Sequence, residues 1–246
     1  MKVEENLRRK IAQEGSAHLT LIDPAKQDPK KAGQIAKDAD KAGTDGIMVG
    51  GSTQAAGKLL DDTMIAIKKS TSLPVILFPA DEGGISRHAD AIFFMSMLNS
   101  RDPYFITGAQ KLGAPIVKKF KLEPLPMAYL LVEPGGAAGR IGKADLIPRD
   151  NPQLAADYAL AASYLGMRFV YLEAGSGADK PVPIEMVKAV RKVTDATLIV
   201  GGGIRNSRDA AERVKAGANI VVTGTLVEQA EDKLSKVQEI VKAMKN

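Results

Sequence analysis

Residues 169–205 read FVYLEAGSGADKPVPIEMVKAVRKVTDATLIVGGGIR, and this stretch contains the unit that repeats along the chain. It begins with the apolar run FVYLE (169–173), continues with PIEMVKAVRKVT (183–194), whose apolar residues have helical spacing, and ends with TLIVG (197–201). Short runs that are apolar at nearly every position are typical of strands buried on both faces. The stretch therefore predicts two parallel strands joined by a crossover helix.

The same alternation of strand-like and helical runs continues in both directions. The predicted strands are HLTLI (18–22), GIMVG (46–50), PVILF (74–78), AIFFM (91–95), MAYLLV (127–132), FVYLE (169–173), TLIVG (197–201) and NIVVTG (219–224). The clearest predicted helices are 29–43, 151–166, 183–194 and 207–218, with another at about 4–15 before the first strand. The pattern leaves open whether the helix that reaches Gly113 ends there or continues to Phe120.

Eight β/α units in 246 residues predict an α/β fold, a (β/α)8 TIM barrel that occupies residues 1–246 as a single domain. The alternative is a doubly wound open sheet, which usually has a glycine-rich turn after its first strand. Here the first strand ends in Asp23-Pro24, without glycine, so the barrel is favoured.

Composition excludes several kinds of site. The chain has no Cys, which rules out a thiolate nucleophile, disulfides, iron–sulfur clusters and thiolate zinc sites. His18 and His88 are its only histidines, too few for a three-His metal site, and we interpret both as structural or surface residues. A metal would then need oxygen ligands, which favours Mg²⁺ over zinc.

Charge and hydropathy restrict the partners and the location. The net charge of +5 is spread over the chain without a basic block interleaved with aromatics, so no nucleic acid is expected. The longest apolar run, Ala91–Leu98, is far shorter than the roughly 20 residues of a spanning helix, so membrane contact is expected only at the surface and transiently. The charged N-terminus does not resemble a secretory signal, which predicts a cytoplasmic protein.

Glycine-rich segments follow three of the predicted strands, at YLEAGSG (171–177), GGGIR (201–205) and TGT (223–225). Barrel enzymes build their sites at the carboxyl ends of the strands, and glycine loops there let backbone N–H groups approach a phosphate. Each loop alone could equally be a tight turn between a strand and a helix. Because all three converge on one side of the barrel, a phosphate site is favoured.

Two carboxylates also follow predicted strands. Asp23 and the hydroxyl of Ser52 come from adjacent strands and could bind Mg²⁺, although both residue types are also common caps of turns and helices. Glu173 lies two residues after Tyr171, on the same strand face, and could accept a proton from a substrate hydroxyl. The alternative for Glu173 is a structural ion pair with a nearby Lys or Arg.

Seven segments in consistent order resemble the geranylgeranylglyceryl phosphate synthase family. They are LIDP (21–24), GGST (50–53), FFMSMLNS (93–100), LPMAYLLVEPGG (125–136), YLEAGSGA (171–178), VGGGIR (200–205) and VVTGT (221–225). The resemblance implies a barrel prenyltransferase that joins geranylgeranyl diphosphate to the C3 hydroxyl of sn-glycerol 1-phosphate and releases diphosphate. This is the first ether-bond step of archaeal-type membrane lipid biosynthesis.

The resemblance also implies roles for individual residues. Mg²⁺ is expected at Asp23 and Ser52, and Glu173 and Tyr171 are expected to be catalytic. Residues expected to hold sn-glycerol 1-phosphate are Tyr171, Leu172, Glu173, Ala174, Gly175, Ser176, Gly177, Gly202, Gly203, Gly224 and Thr225. Lys26, Lys118, Lys119 and Arg205 are candidates for contacts with the diphosphate.

Several alternatives stay open at this point. A longer heptaprenyl donor is one, because the floor of the apolar groove cannot be placed from the sequence. An isomerase, an indole-forming synthase and a non-catalytic phosphate-binding scaffold are others. A homo-oligomer is expected, but AAGRIGK (137–143) lacks the aromatic residue with which some relatives build a larger assembly, so both a dimer and a hexamer are compatible with the sequence.

Overall fold

A computed structural model of the chain describes residues 2–51, 56–224 and 233–245. Within these ranges eight parallel strands pair in sequence order, and the last pairs with the first to close a barrel. The strands are β1 (Ala17–Ile22), β2 (Gly46–Gly50), β3 (Val75–Phe78), β4 (Ala91–Met97), β5 (Glu123–Leu131), β6 (Phe169–Glu173), β7 (Thr197–Gly201) and β8 (Ile220–Thr223). The predicted (β/α)8 barrel is confirmed.

Helices connect the strands and cover the outside of the barrel. They are α1 (Val3–Glu14), α2 (Pro29–Lys41), α3 (Gly57–Ser70), α4 (Ala109–Phe120), α5 (Gly136–Ile141), α6 (Pro152–Tyr164), α7 (Ile184–Val193), α8 (Ser207–Lys215) and α9 (Lys233–Met244). Three helix starts follow the capping rule, because Asp28, Asn151 and Asn206 accept hydrogen bonds from the backbone of Lys31, Leu154 and Asp209, respectively.

The structure defines two element boundaries, the end of α4, which the sequence left open, and the start of β5, which differs from the prediction. Helix α4 continues through Pro115 and ends at Phe120, so the irregular stretch after Gly113 is helical. Strand β5 begins at Glu123, four residues before the predicted start at 127, although Pro124 and Pro126 lie within it. These prolines are tolerated because β6 pairs with β5 only from Met127 onward, so their missing N–H groups remove no hydrogen bond to β6.

The inside of the barrel is filled by alternate strand residues, and α1 closes its amino end. Val3 and Leu7 of α1 belong to the same buried cluster as Leu19, Phe93 and Phe169 of the barrel interior. The start of α1 is fixed by the side chain of Glu123, which accepts a hydrogen bond of 2.5 Å from the backbone of Val3. The predicted helix at about 4–15 therefore covers the barrel core at its amino end.

His18 has the structural role expected from its position on the first strand. It is fully buried, with Nδ1 2.8 Å from Thr44 Oγ1 and Nε2 2.9 Å from Thr223 Oγ1. Burial lowers its pKa from 6.5 to about 3, so the imidazole is neutral at physiological pH. His18 thus joins β1 to the end of β8 by hydrogen bonds and not by charge.

None of the helices in the described ranges has both the length and the apolar character needed to cross a bilayer.

We expect Leu7→Ala to lower the free energy of unfolding by about 2–5 kcal/mol, because it leaves a cavity at the amino end of the barrel. Leu7 is 1% exposed, whereas Leu165 at the end of α6 is 67% exposed. Leu165→Ala is the matched control and should change the free energy of unfolding by less than about 0.5 kcal/mol. Denaturant unfolding measures both variants, and equal effects would contradict the role given to α1.

Candidate active site

The carboxyl ends of the strands meet at one end of the barrel, and two cavities open there. The first, which we call the glycine cavity, has a volume of about 470 Å³ and lies above β6, β7 and β8. Its lining consists of Leu21, Tyr171, Glu173, Ser176, Gly177, Ala178, Gly202, Gly203, Ile204, Arg205, Val222, Thr223, Gly224 and Lys236. The three glycine-rich segments therefore converge as predicted, together with cationic side chains.

Gly202 illustrates why this corner requires glycine. Its φ of +77° lies in the left-handed region, and a Cβ atom there would lie 2.2 Å from Oε1 of Glu173 and 2.6 Å from the backbone nitrogen of Gly175. Any side chain at this position would displace the carboxylate or the loop after β6. The glycine thus lets two loops and a carboxylate approach closely at the edge of the cavity.

The second cavity, which we call the apolar groove, has a volume of about 350 Å³ and extends from the barrel mouth past β4 toward α4 and α5. Most of its lining residues are apolar. They include Leu21, Phe78, Pro79, Ile85, Ile92, Phe93, Phe94, Met95, Met97, Phe105, Ala109, Gly113, Tyr129, Ala137, Ala138 and Ile141. The methionine and aromatic side chains among them form a wall suited to a hydrocarbon chain.

Glu173 lies where the two cavities meet, since it lines both of them together with Leu21, Ser176 and Gly224. Its side chain is held from two sides, by a 2.6 Å hydrogen bond to Oε1 from the backbone of Gly175 and by the hydroxyl of Tyr171. Glu173 is 6% exposed. Burial raises the pKa of its carboxyl group, and the two hydrogen bonds oppose this effect only in part.

A buried carboxylate with a raised pKa is a stronger proton acceptor than an exposed one. The partners of Glu173 named above are a backbone amide and a phenol, which does not match the ion pair with Lys or Arg considered as the alternative. The geometry is therefore suited to a general base at the junction of a polar and an apolar cavity.

Tyr171 supports the carboxylate from inside the barrel. Its ring is 1% exposed and packs against Phe78 and Tyr129, with centroids 5.7 and 5.3 Å away. Gly201 on β7 makes room for the phenol, because a Cβ atom there would lie 2.1 Å from the hydroxyl oxygen. This arrangement suits Tyr171 to orienting the side chain of Glu173.

Tyr129 lies on β5 and was not among the residues to which the sequence assigned a role. It is buried, it lines the apolar groove, and its ring forms an edge-on contact with Phe78 at 5.3 Å. Burial raises the pKa of its hydroxyl, and the nearby charge of Glu173 adds to the effect. The aromatic face next to Glu173 in the groove is therefore provided by Tyr129 and Phe78 and not by Tyr171.

Asp23 directly follows β1 and lines the apolar groove. Its carboxylate is 5% exposed, and Oδ1 accepts a hydrogen bond of 3.0 Å from the backbone of Ala25, as expected for a turn cap. Oδ2 lies 3.6 Å from Nζ of Lys26. Ser52, the other predicted metal ligand, lies outside the described residues, as does Thr225 of the predicted phosphate site.

Asp23 and Lys26 thus bring a carboxylate and an ammonium group to the groove, and the contact of Lys26 with a diphosphate stays a prediction. Lys118 and Lys119 are not among the described residues that line either cavity. They occupy the last turn of α4, which leads into the start of β5 at the opposite end of the barrel. Their selection as diphosphate contacts was therefore wrong.

Two further positions differ from the expected substrate-binding set. The side chains of Leu172 and Ala174 belong to the buried cluster between the barrel and its outer helices. Successive strand residues point to opposite faces, so these two can contribute only backbone atoms to the site. Lys236 on α9 lines the glycine cavity and was missed, because a lysine on an amphipathic helix carries no motif.

Comparison with known proteins gives the family. The model of the PcrB family matches residues 9–244. The geranylgeranylglyceryl phosphate synthase of Methanosarcina acetivorans is 55% identical to this chain, and that of Methanosarcina barkeri is 56% identical, each over the full length of both chains.

A solved structure agrees with these relatives. The (S)-3-O-geranylgeranylglyceryl phosphate synthase of Thermoplasma acidophilum, in complex with its substrate sn-glycerol-1-phosphate, is 45% identical and superposes with a TM-score of 0.96. The comparison covers 100% of this chain and 99% of that one. The predicted resemblance is therefore confirmed, and the chain belongs to the PcrB family.

Proposed function

We propose that this chain transfers the geranylgeranyl group of geranylgeranyl diphosphate to the C3 hydroxyl of sn-glycerol 1-phosphate, the first ether-bond step of archaeal-type lipid biosynthesis. The observation that carries the proposal is the position of Glu173, a buried carboxylate that lines both a glycine-rich cavity and an apolar groove. One substrate of this reaction is a small phosphate ester and the other is a long hydrocarbon. A base between their binding sites is what the reaction needs.

The phosphate ester fits the glycine cavity. Glycine loops after the seventh and eighth strands are the usual phosphate grip of this fold, and Arg205 and Lys236 add positive charge at the rim. The Thermoplasma acidophilum relative binds sn-glycerol-1-phosphate. With its phosphate in this cavity, the glycerol would extend toward Glu173.

The prenyl donor fits the apolar groove. Its hydrocarbon tail would lie along the methionine and aromatic wall, and its diphosphate would lie near Asp23 and Lys26 at the barrel mouth. This arrangement places C1 of the prenyl chain next to Glu173, where the two cavities meet.

Mg²⁺ is the cofactor that suits the diphosphate end. The residues present fit it, because Asp23 offers a buried carboxylate oxygen and Mg²⁺ commonly binds through one or two carboxylates plus substrate phosphates and water. Asp23 would hold the ion, together with Ser52. The described residues contain no group of three or more His, Asp or Glu that could hold a metal by themselves, so substrate oxygens would complete the coordination. When bound, the ion supplies positive charge that stabilises the leaving diphosphate.

The bond changes follow from this placement. The C3 oxygen of glycerol forms a bond to C1 of the prenyl chain, and the bond from C1 to the diphosphate oxygen breaks, with the electron pair leaving on diphosphate. Glu173 accepts the hydroxyl proton while the hydrogen bonds from Gly175 and Tyr171 hold its side chain in place. The rings of Tyr129 and Phe78 stabilise positive charge that develops on the allylic carbons.

The prediction of a homo-oligomer stays a prediction. The segment that bears on it, residues 137–143, covers most of α5 and the two residues after it, and Arg140 and Ile141 are exposed. Size measurement in solution separates a dimer from a hexamer.

The proposed reaction is tested by its product. Purified protein, Mg²⁺ and radiolabelled sn-glycerol 1-phosphate are incubated with prenyl diphosphates of graded length, and the lipid formed is identified by mass. We expect geranylgeranylglyceryl phosphate as the main product. A preference for the heptaprenyl donor would establish the longer-chain alternative, and the absence of any prenylated product would contradict the proposal.

Glu173→Gln should lower kcat by about 10²- to 10⁴-fold, because the amide cannot accept the hydroxyl proton. In the wild type, Glu173 works only when ionised, and its pKa is raised, so kcat should fall on the acid side at a higher pH than for an ordinary glutamate. The pH profile of Glu173→Gln should lack this fall of kcat at acid pH. Glu185→Gln, at an exposed position on α7, is the control. A Glu173→Gln enzyme with a normal rate would assign the base to another group.

Asp23→Asn should abolish most Mg²⁺-dependent turnover, by about a hundredfold or more, because the leaving diphosphate loses its stabilisation. Binding of sn-glycerol 1-phosphate should survive, since the glycine cavity is not lined by Asp23. Turnover against Mg²⁺ concentration and calorimetric binding of the glycerol phosphate check the two statements. Asp62→Asn on α3 is a control for a change of charge at an exposed position, and undiminished turnover in Asp23→Asn would remove the metal role.

A further inference from the structure

The loop between β6 and α7, residues 174–183, is held by arginines from three other parts of the chain. This loop carries Ser176 and Gly177, which line the glycine cavity. Arg149, Arg205 and Arg213 lie in the loop before α6, in the loop after β7 and in α8, respectively. Each donates hydrogen bonds to backbone carbonyl groups of the β6–α7 loop.

Arg149 contacts this loop at the Lys180–Pro181 peptide and also contacts a second loop. Its Nη2 donates to the carbonyl of Pro181 at 2.7 Å, and its Nη1 donates to the carbonyls of Lys180 at 3.5 Å and Glu133 at 3.2 Å. Glu133 belongs to the loop after β5, so one guanidinium group bridges two neighbouring loops. The rigid, planar fork of arginine suits such a bridge, and lysine cannot reproduce it.

The other two arginines hold the rest of the same loop. Arg213 donates from Nε to the carbonyl of Val182 at 3.1 Å, and its side chain is 9% exposed. Arg205 donates from Nη2 to the carbonyls of Gly177 and Ala178, both at 3.2 Å. Arg205 read from the sequence as a candidate for diphosphate contact, but in the structure its guanidinium group is engaged by the loop.

A close backbone contact connects Arg149 to the phosphate site. Gly203 lines the glycine cavity, and a Cβ atom on it would lie 2.6 Å from the carbonyl carbon of Lys180 and 2.8 Å from the nitrogen of Pro181. The peptide that Arg149 holds therefore packs directly on the backbone of Gly203. If Lys180 and Pro181 shift, the wall of the cavity shifts with them.

We propose that Arg149 is a positioning residue for phosphate binding: it fixes the Lys180–Pro181 peptide against Gly203 and so sets the affinity of the glycine cavity for the phosphate of sn-glycerol 1-phosphate. The inference rests on the proposed function for the identity of this ligand. Its physical basis is preorganisation, because a loop that is already ordered loses less conformational entropy when the ligand binds.

The test compares Arg149→Met and Arg149→Lys with wild type. In Arg149→Met, KM for sn-glycerol 1-phosphate should rise by about tenfold, the change expected when hydrogen bonds to a charged group are lost. kcat and KM for geranylgeranyl diphosphate should stay within about twofold of wild type, since Arg149 holds Lys180 and Pro181 and not Gly175 or Ser176, the loop residues next to Glu173 and the apolar groove. The KM of Arg149→Lys for sn-glycerol 1-phosphate should lie between the values of wild type and Arg149→Met, because lysine keeps the positive charge but lacks the planar guanidinium fork.

Arg191 provides a matched control at the opposite end of the barrel. Its Nη1 donates to the carbonyl of Ala196 and to the side chain of Asn219, both at 3.0 Å, so it also holds a loop between a helix and a strand. Arg191→Met should lower the Tm to a similar extent as Arg149→Met but leave both KM values unchanged. A merely structural role for Arg149 would give the same pattern in the two variants.

Direct binding separates failure of this inference from failure of the proposed function. The Kd for inorganic phosphate and for sn-glycerol 1-phosphate is measured by calorimetry without the prenyl donor, and Arg149→Met should weaken both by the same factor. Unchanged Kd values in a folded Arg149→Met or Arg149→Lys variant, or equal rises in both KM values, would overturn the inference. Wild-type protein that binds phosphate but transfers no prenyl group would contradict only the proposed function.

Discussion

A carboxylate that is almost completely buried costs free energy, and the chain accepts that cost at Glu173. Water is replaced there by one backbone N–H, from Gly175, and by the hydroxyl of Tyr171. Because these two bonds do not fully compensate for desolvation, the pKa of Glu173 is raised. Two features lower the stability of the fold at this point: the burial of the carboxylate and the neighbouring glycines, Gly201 and Gly202. The same two features suit Glu173 to the proposed role of a strong base with a cavity on each side.

The surroundings of Glu173 are fixed by pairing across the barrel. Glu173 lies opposite Gly201 on β7, and Tyr171 lies opposite Ile199, so Gly201 and Gly202 come directly beside the carboxylate and the phenol. A shift of β6 by one residue would turn both functional side chains toward the outer helices and would turn Leu172 inward. The closed barrel excludes that shift, because every strand of the described structure is paired on both sides. Catalytic geometry therefore depends on the same hydrogen bonds that close the fold.

The sequence predicts the elements of this arrangement better than their contacts. Strand and helix periods identify the barrel, and glycine-rich strand ends identify the corner where the loops converge. Lys118 and Lys119 were misplaced because charge was considered without chain direction, although a helix that leads into the next strand ends at the amino side of the barrel. Tyr129, Lys236 and the bridge from Arg149 to Pro181 depend on contacts between distant residues, and nothing in local periodicity reports such contacts.

If an allylic cation forms next to Glu173, water and the glycerol hydroxyl compete to react with it. Two features of the structure favour the glycerol hydroxyl. The groove proposed for the prenyl chain is largely apolar, and Glu173, the proposed base, is 6% exposed, so little bulk water would reach the reacting carbon. The glycerol oxygen would have the opposite advantage, because its phosphate would be anchored in the glycine cavity, next to a loop that Arg149, Arg205 and Arg213 hold by hydrogen bonds. Selectivity for ether formation over hydrolysis then depends on how rigidly the phosphate is held. In this view the arginines behind the β6–α7 loop contribute to the outcome of the reaction without touching either substrate at the reacting atoms.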